Sequence, residues 1–353
     1  MNTYMTYLYA QDQFPIFQNR TYDSRETARS CSKGDIRLIE DLTTGLIYNA
    51  AFRPELVTYD MHYNNEQAVS GAFRQHLDAV ASLIEKGMGR NRLVEVGCGK
   101  GFFLEKLARE GFDISGFDPA YEGDNPRIQR RYFEPGVIES AEGLILRHVL
   151  EHIQNPVDFL RRLRDANWGA GRVYIEVPCF DWICRHRSWF DVFYEHVNYF
   201  RLSDFQRIFK DVVDIGRVFN DQYLYVVAEL ASIREPQLDE TDRVVFPENF
   251  MPTLADLVVD DRPITLWGGA SKGVIFALLS ERAGRPVARV IDINPAKQGK
   301  YLAATGLQVT SPEDARVHMR EGDPIYVMNP NYLEEIKLMF GDQFNYKVMT
   351  ERN

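Results

Sequence analysis

The chain has 353 residues, 45% of them hydrophobic, and a formal net charge of −10. That length and apolar content allow two domains with their own cores, and the acidic balance excludes a broad basic face for nucleic acid. With no run of about 18 apolar residues and no N-terminal signal, the expected setting is the cytoplasm, with no membrane partner.

Residues 1–60 read as a short irregular segment rich in aromatics, among them Tyr4, Tyr7, Tyr9, Phe14, Phe17 and Tyr22. Only Ile36 to Ile39 and Gly45 to Tyr48 have strand-like patterning there. A first domain is expected over 61–232. Helical periodicity opens it, from Glu66 through Val69, Phe73, Leu77, Val80 and Leu83-Ile84. The apolar run Leu93-Val94, the stretch Glu95-Val96-Gly97-Cys98-Gly99-Lys100-Gly101 and the helix-like Phe102 to Leu107 then predict strand, glycine turn and helix start. A doubly wound α/β sheet grips a nucleoside-bearing cofactor in this way, because glycines let the backbone turn sharply against a ligand and the helix N-terminus offers N–H groups. The next strand-like run, Asp113 to Phe117, ends in Asp118, roughly 20 residues past the turn and placed to accept from ribose hydroxyls.

A dinucleotide site would need a third glycine two residues further on, where the helix packs against the pyrophosphate. Gly101 is followed instead by the bulky Phe102 and Phe103. Gly143 to Leu146 reads as the next buried strand, followed by Arg147-His148-Val149-Leu150-Glu151-His152-Ile153 and the helix Val157 to Leu163. Arg172 to Pro178 reads as a fifth strand whose proline ends the ladder. After a connector over 233–260, with the charged stretch Arg234 to Asp242, a second α/β unit is expected over 261–353. There Ile264 to Trp267, the turn Gly268-Gly269-Ala270-Ser271-Lys272-Gly273 and the helix from Val274 miss both the dinucleotide and the phosphate-loop patterns by one residue.

His148-x-x-Glu151-His152 resembles the zinc motif of inverted metalloproteases. Asn155-Pro156 breaks the helix that motif requires, and no distal acidic ligand stands out. Cys31, Cys98, Cys179 and Cys184 contain no Cys-x-x-Cys pair, so no metal ligands are expected.

The Glu95 to Gly101 motif and the strands that follow resemble the class I S-adenosylmethionine-dependent methyltransferases. The resemblance implies a doubly wound, Rossmann-like core with a smaller Rossmann-like domain behind it, and S-adenosylmethionine as cofactor. It assigns cofactor contacts to Glu95, Gly97, Gly99, Gly101, Asp118 and His148, with Tyr63 as a residue that covers the cofactor. Trp267 to Gly273 with Asp292-Ile293-Asn294-Pro295-Ala296-Lys297 is similar to the nucleotide-sugar C-methyltransferases, which methylate a carbon beside a keto group of a deoxysugar nucleotide. That family opens with a zinc domain of paired cysteines; here Leu42-Thr43-Thr44-Gly45 stands where a Cys-x-x-Cys-Gly would, so residues 1–60 read as its degenerate remnant. Phe193-Tyr194-Glu195-His196 takes the place of the family's active-site run. His196 is then the candidate base, Glu195 its orienting carboxylate and Tyr194 a donor to the developing enolate. The expected substrate is a small molecule, a nucleotide sugar on this reading; the alternative is O- or N-methylation of another small metabolite. Oligomeric state is not legible.

Overall fold

A computed structural model describes residues 4–57, 69–251 and 262–349. Within them the chain forms three units around one cleft. In the N-terminal unit β1 (Met5–Pro15), β2 (Thr21–Tyr22), β3 (Lys33–Asp41) and β4 (Ile47–Asn49) follow one another. The segment expected to be irregular is therefore an ordered antiparallel sheet, β1 on β3 on β4. Phe14, Ile36 and Leu38 pack into the main core, and Ile39 is buried as well.

The middle unit carries β5 (Leu93–Val96), β6 (Ile114–Phe117), β7 (Ile128–Gln129), β8 (Gly143–Arg147), β9 (Arg172–Pro178), β10 (Asn198–Tyr199), β11 (Val212–Val218) and β12 (Tyr223–Glu229). Seven of these form one sheet in the order β7-β6-β5-β8-β9-β12-β11, and β10 instead closes the N-terminal sheet against β4. The first five are parallel, while β12 runs antiparallel to both β9 and β11. Every residue of β5 is buried, as a strand covered on both faces by helices must be. Helix Gly71–Met88 supplies one cover, burying Phe73, Leu77, Val80 and Ile84.

The C-terminal unit adds β13 (Thr265–Trp267), β14 (Arg289–Ile291), β15 (Tyr301–Leu302), β16 (Val309–Thr310), β17 (Pro324–Val327) and β18 (Asn345–Val348). Its sheet, β16-β14-β13-β17-β18, is parallel throughout. The order reverses between β13 and β17, and a crevice opens beyond the carboxyl ends of strands at such a reversal.

The three units are tied together. β15 pairs with β2, and Arg282 donates to the carbonyls of Asp12 and Gln13. Glu335 accepts from Gly71 N–H at 2.9 Å and from the Ser70 hydroxyl at 2.5 Å. A carboxylate there complements the positive end of the Gly71–Met88 helix, so the C-terminal unit caps a helix of the middle one. No helix among the described residues is long and apolar enough to cross a membrane.

Candidate active site

The glycine turn lies at the carboxyl end of β5, where Gly97, Gly99 and Gly101 take φ of +75°, +54° and +82°. Side chains at Gly97 or Gly101 would meet Val149 or Ile128, whereas a Cβ on Gly99 would meet nothing within 4 Å. Gly99 therefore forms an open backbone cradle. Asp118, at the end of β6, accepts from the Gly99 N–H at 2.7 Å and from the Ala120 N–H at 2.8 Å, which aims its carboxylate over that cradle. An open glycine turn beside a fixed acid suits the amino-acid and ribose parts of S-adenosylmethionine.

Glu95 is buried beneath the turn, and one of its carboxylate oxygens has no hydrogen-bond partner. Burial lifts its pKa to about 8 against the opposing pull of Arg147. The acid is thus protonated at neutral pH and supports the turn from below. Tyr63 lies outside the described residues.

His148 follows β8 directly, at φ +53°, and lines the cleft. Its Nε2 lies 3.2 Å from Glu176 and its Nδ1 3.4 Å from Glu151. Burial pushes the imidazole down, but the two carboxylates outweigh it and raise the pKa to about 9. Glu176, fully buried on β9, also takes a hydrogen bond from Tyr174 and pairs with His76 and Arg147. Burial alone would raise its pKa; the Arg147 charge and the hydrogen bonds from His148 and His76 hold it well below the usual carboxylate range.

The cleft itself lies between the carboxyl ends of the parallel strands of the two sheets. His148, Glu151, His152, Phe193, His196 and Tyr223 form the wall contributed by the middle unit. Opposite stand the loops after β13, β14 and β17, including Ser271, Lys272, Asp292, Asn294, Lys297 and Asn329, with Asn19 from the N-terminal unit. Lys272 donates to Asp191 at 2.9 Å and lies 5.0 Å from the centre of the Trp182 ring. Burial lowers its pKa, which the Asp191 carboxylate partly restores.

Of the three expected catalytic residues, Tyr194, Glu195 and His196, only His196 lines this space. Its ring packs edge-on against His152 and Phe193, at centroid distances of 4.9 and 4.8 Å. Burial, with His152 and His148 nearby, holds its pKa well below the ordinary histidine range, so the imidazole is neutral. Tyr194 points the other way. Its hydroxyl accepts from the Arg53 N–H at 2.9 Å and its ring covers Gly34, so the role of enolate donor does not fit its position. Glu195 is also turned from the cleft: its carboxylate accepts from the Gln18 N–H at 3.0 Å. Its backbone carbonyl does contribute, accepting from His152 Nδ1 at 2.9 Å. Because a carbonyl only accepts, that contact puts the His152 proton on Nδ1.

His152 and Lys272 were not singled out from sequence as parts of this site. The signal for His152 was present in His148-x-x-Glu151-His152, but its partner His196 lies on another loop. Among the described residues, Glu151, His152 and His196 are the group of possible ligands close enough to share a metal ion.

Residues 67–212 match the family model described as a methyltransferase domain. No curated protein matches the chain. Similar solved structures include the magnesium protoporphyrin IX methyltransferase of Synechocystis PCC 6803 with bound SAM, 14% identical over 45% of this chain and 78% of that one, with a TM-score of 0.32. Another is the 1,6-didemethyltoxoflavin-N1-methyltransferase of Burkholderia thailandensis, 14% identical over 52% of this chain and 95% of that one, with a TM-score of 0.35. A sheet of this order and an open glycine turn faced by Asp118 agree with the matched model: residues 67–212 carry a methyltransferase domain, and the protein is an enzyme.

Proposed function

We propose that the acceptor is a nucleotide-linked keto-deoxysugar held in the cleft, methylated on the carbon beside its keto group, with His196 as the proton acceptor. The observation that carries this reading is the position of His196. It is the one member of the Phe193 to His196 run that combines a basic side chain with a place on the cleft wall. The cofactor supplies an electrophilic methyl group. Gly99 and Asp118 hold it at the end of β5 and β6, and His196 takes the proton of the acceptor carbon on a ring nitrogen. His152, fixed by the Glu195 carbonyl, keeps the His196 ring in place through their edge-on contact.

The opposite wall suits the rest of such a molecule. Asn19, Asn294, Asn329 and Ser271 offer hydrogen bonds to hydroxyls, and Lys272 and Lys297 offer positive charge to phosphates. Proton removal by a placed base contributes about 10²- to 10⁴-fold. His196→Gln should therefore keep cofactor affinity and fold while methyl transfer falls by roughly 10²-fold or more. Incubating the enzyme with keto-sugar nucleotides in D₂O should show exchange of the hydrogen beside the keto group, lost in His196→Gln. Methylation of an oxygen or nitrogen acceptor, with no such exchange, would contradict the reading.

A further inference from the structure

Glu151 is 1% exposed, yet neither of its carboxylate oxygens accepts a hydrogen bond. Its nearest cationic partner is His148 Nδ1, at 3.4 Å. Buried carboxylates normally have their oxygens satisfied, because leaving them without donors costs several kcal/mol, of the order of 1–3 or more. Glu151 lines the cleft with two imidazoles beside it.

Those imidazoles belong to His152 and His196, and one ligand atom from each of the three residues lies within 4.8 Å of the other two. Donors around a tetrahedral zinc ion stand about 3.3 Å apart, given bonds of about 2.0–2.1 Å. Small side-chain rotations would close that difference. The supports are already built. His152 Nδ1 is bound by the Glu195 carbonyl, so Nε2 is the nitrogen with the lone pair, the tautomer a ligating histidine has when its other nitrogen is held by a carbonyl. The Asn198 side chain donates to the carbonyls of Leu150 at 3.3 Å and Ile153 at 2.5 Å, clamping the turn that carries Glu151 and His152 to the strand that follows His196.

We propose that Glu151, His152 and His196 form a binding site for one divalent transition-metal ion, and that its occupancy stops methyl transfer by engaging His196. Two imidazoles and one carboxylate favour zinc or a similar ion over magnesium or calcium, which take oxygen ligands. The site differs from the metalloprotease motif in the sequence: His148 is engaged with Glu176, and the second histidine ligand comes from a different loop. Three protein ligands leave a position open to the cleft. The binding half stands on this geometry alone, whereas the inhibitory half rests on the reading of His196 as proton acceptor.

The test uses the full-length enzyme, freed of metal with a chelator and titrated with zinc by calorimetry and with cobalt by visible absorption. One equivalent should bind, with the absorption of a low-coordinate cobalt site. Glu151→Gln and His152→Gln should weaken zinc binding by more than the about 10- to 100-fold that loss of an outer-shell partner costs. His318→Gln, on the exposed surface, should leave it unchanged. No binding, or binding indifferent to Glu151→Gln and His152→Gln, would overturn the site. In a parallel assay, one equivalent of zinc should suppress both methyl transfer and hydrogen exchange of a keto-sugar nucleotide, and chelator should restore them. Zinc bound at the site with transfer undiminished would leave the metal site standing and overturn both the inhibition and the role of His196.

Discussion

After its first parallel strand each of the two α/β sheets turns on glycines, and after its second each places an aspartate: Gly97 to Gly101 with Asp118 in one, Gly268 to Gly273 with Asp292 in the other. The two acids even make the same contact, Asp118 accepting from Gly99 N–H at 2.7 Å and Asp292 from Gly269 N–H at 2.8 Å. What surrounds them differs. Above Gly99 the space is open, whereas a side chain at Gly269 would press on Val309 and Asp292. Ser271, in the second turn, gives its N–H to the Gln18 carbonyl and its hydroxyl to Asn19, so the N-terminal unit occupies the flank of that turn. Lys297 lies 3.6 Å from Asp292, which also accepts from the Asn294 N–H at 2.8 Å. One motif therefore leaves an open backbone cradle, and the other is satisfied by protein and becomes part of the cleft wall. A glycine turn with a distant acid specifies a local backbone shape; what fills that shape is decided by distant segments of chain.

The largest expected contrast is in stability. Glu176 holds His76, Arg147 and His148 in a buried cluster under the first turn, with no exposed surface of its own. Glu176→Ala should cost about 3–5 kcal/mol in urea unfolding, because it leaves buried cations uncompensated. Asp292→Ala removes hydrogen bonds from the second turn and should cost less, about 1–3 kcal/mol. Equal losses would show that the two turns are supported alike.

A pH-dependent effect follows from Glu95. Its folded pKa of about 8 lies above its ordinary 4.5, so the unfolded chain releases this proton first and wild-type stability falls as pH rises between those values. Below about pH 4.5 that cost is absent, and above about pH 8 it is constant. Glu95→Gln should match wild type at the acid end and gain with rising pH, by about 3 kcal/mol near neutrality. Thermal melts from pH 4.5 to 8 would check this; a constant offset would mean that Glu95 is ionised in the fold.

The first turn and its acid were legible because strand, turn, helix and Asp118 lie in one short stretch, Leu93 to Asp118, and carry their own periodicity. The order of the later strands was legible for the same reason. β1 was not: its burial alternates poorly, and its ladder is made with β3, whose first residue lies 18 positions beyond the end of β1. The direction of Tyr194 and Glu195 was also hidden, since the N–H groups that hold them belong to Arg53 and Gln18, in a unit more than 140 positions away in sequence. For the site as a whole, the wall opposite His196 comes from loops after β13, β14 and β17, a proximity that only the folded chain creates.

Titration of the intact enzyme with S-adenosylmethionine tests the contrast between the two turns most directly. Calorimetry should give one site per chain. Asp118→Ala should weaken it by about 1.5–3 kcal/mol, the range for hydrogen bonds to a charged group, and Asp292→Ala should leave the affinity unchanged. Two equivalents bound, or an affinity that follows Asp292 and ignores Asp118, would contradict the assignment of the cofactor to the turn after β5.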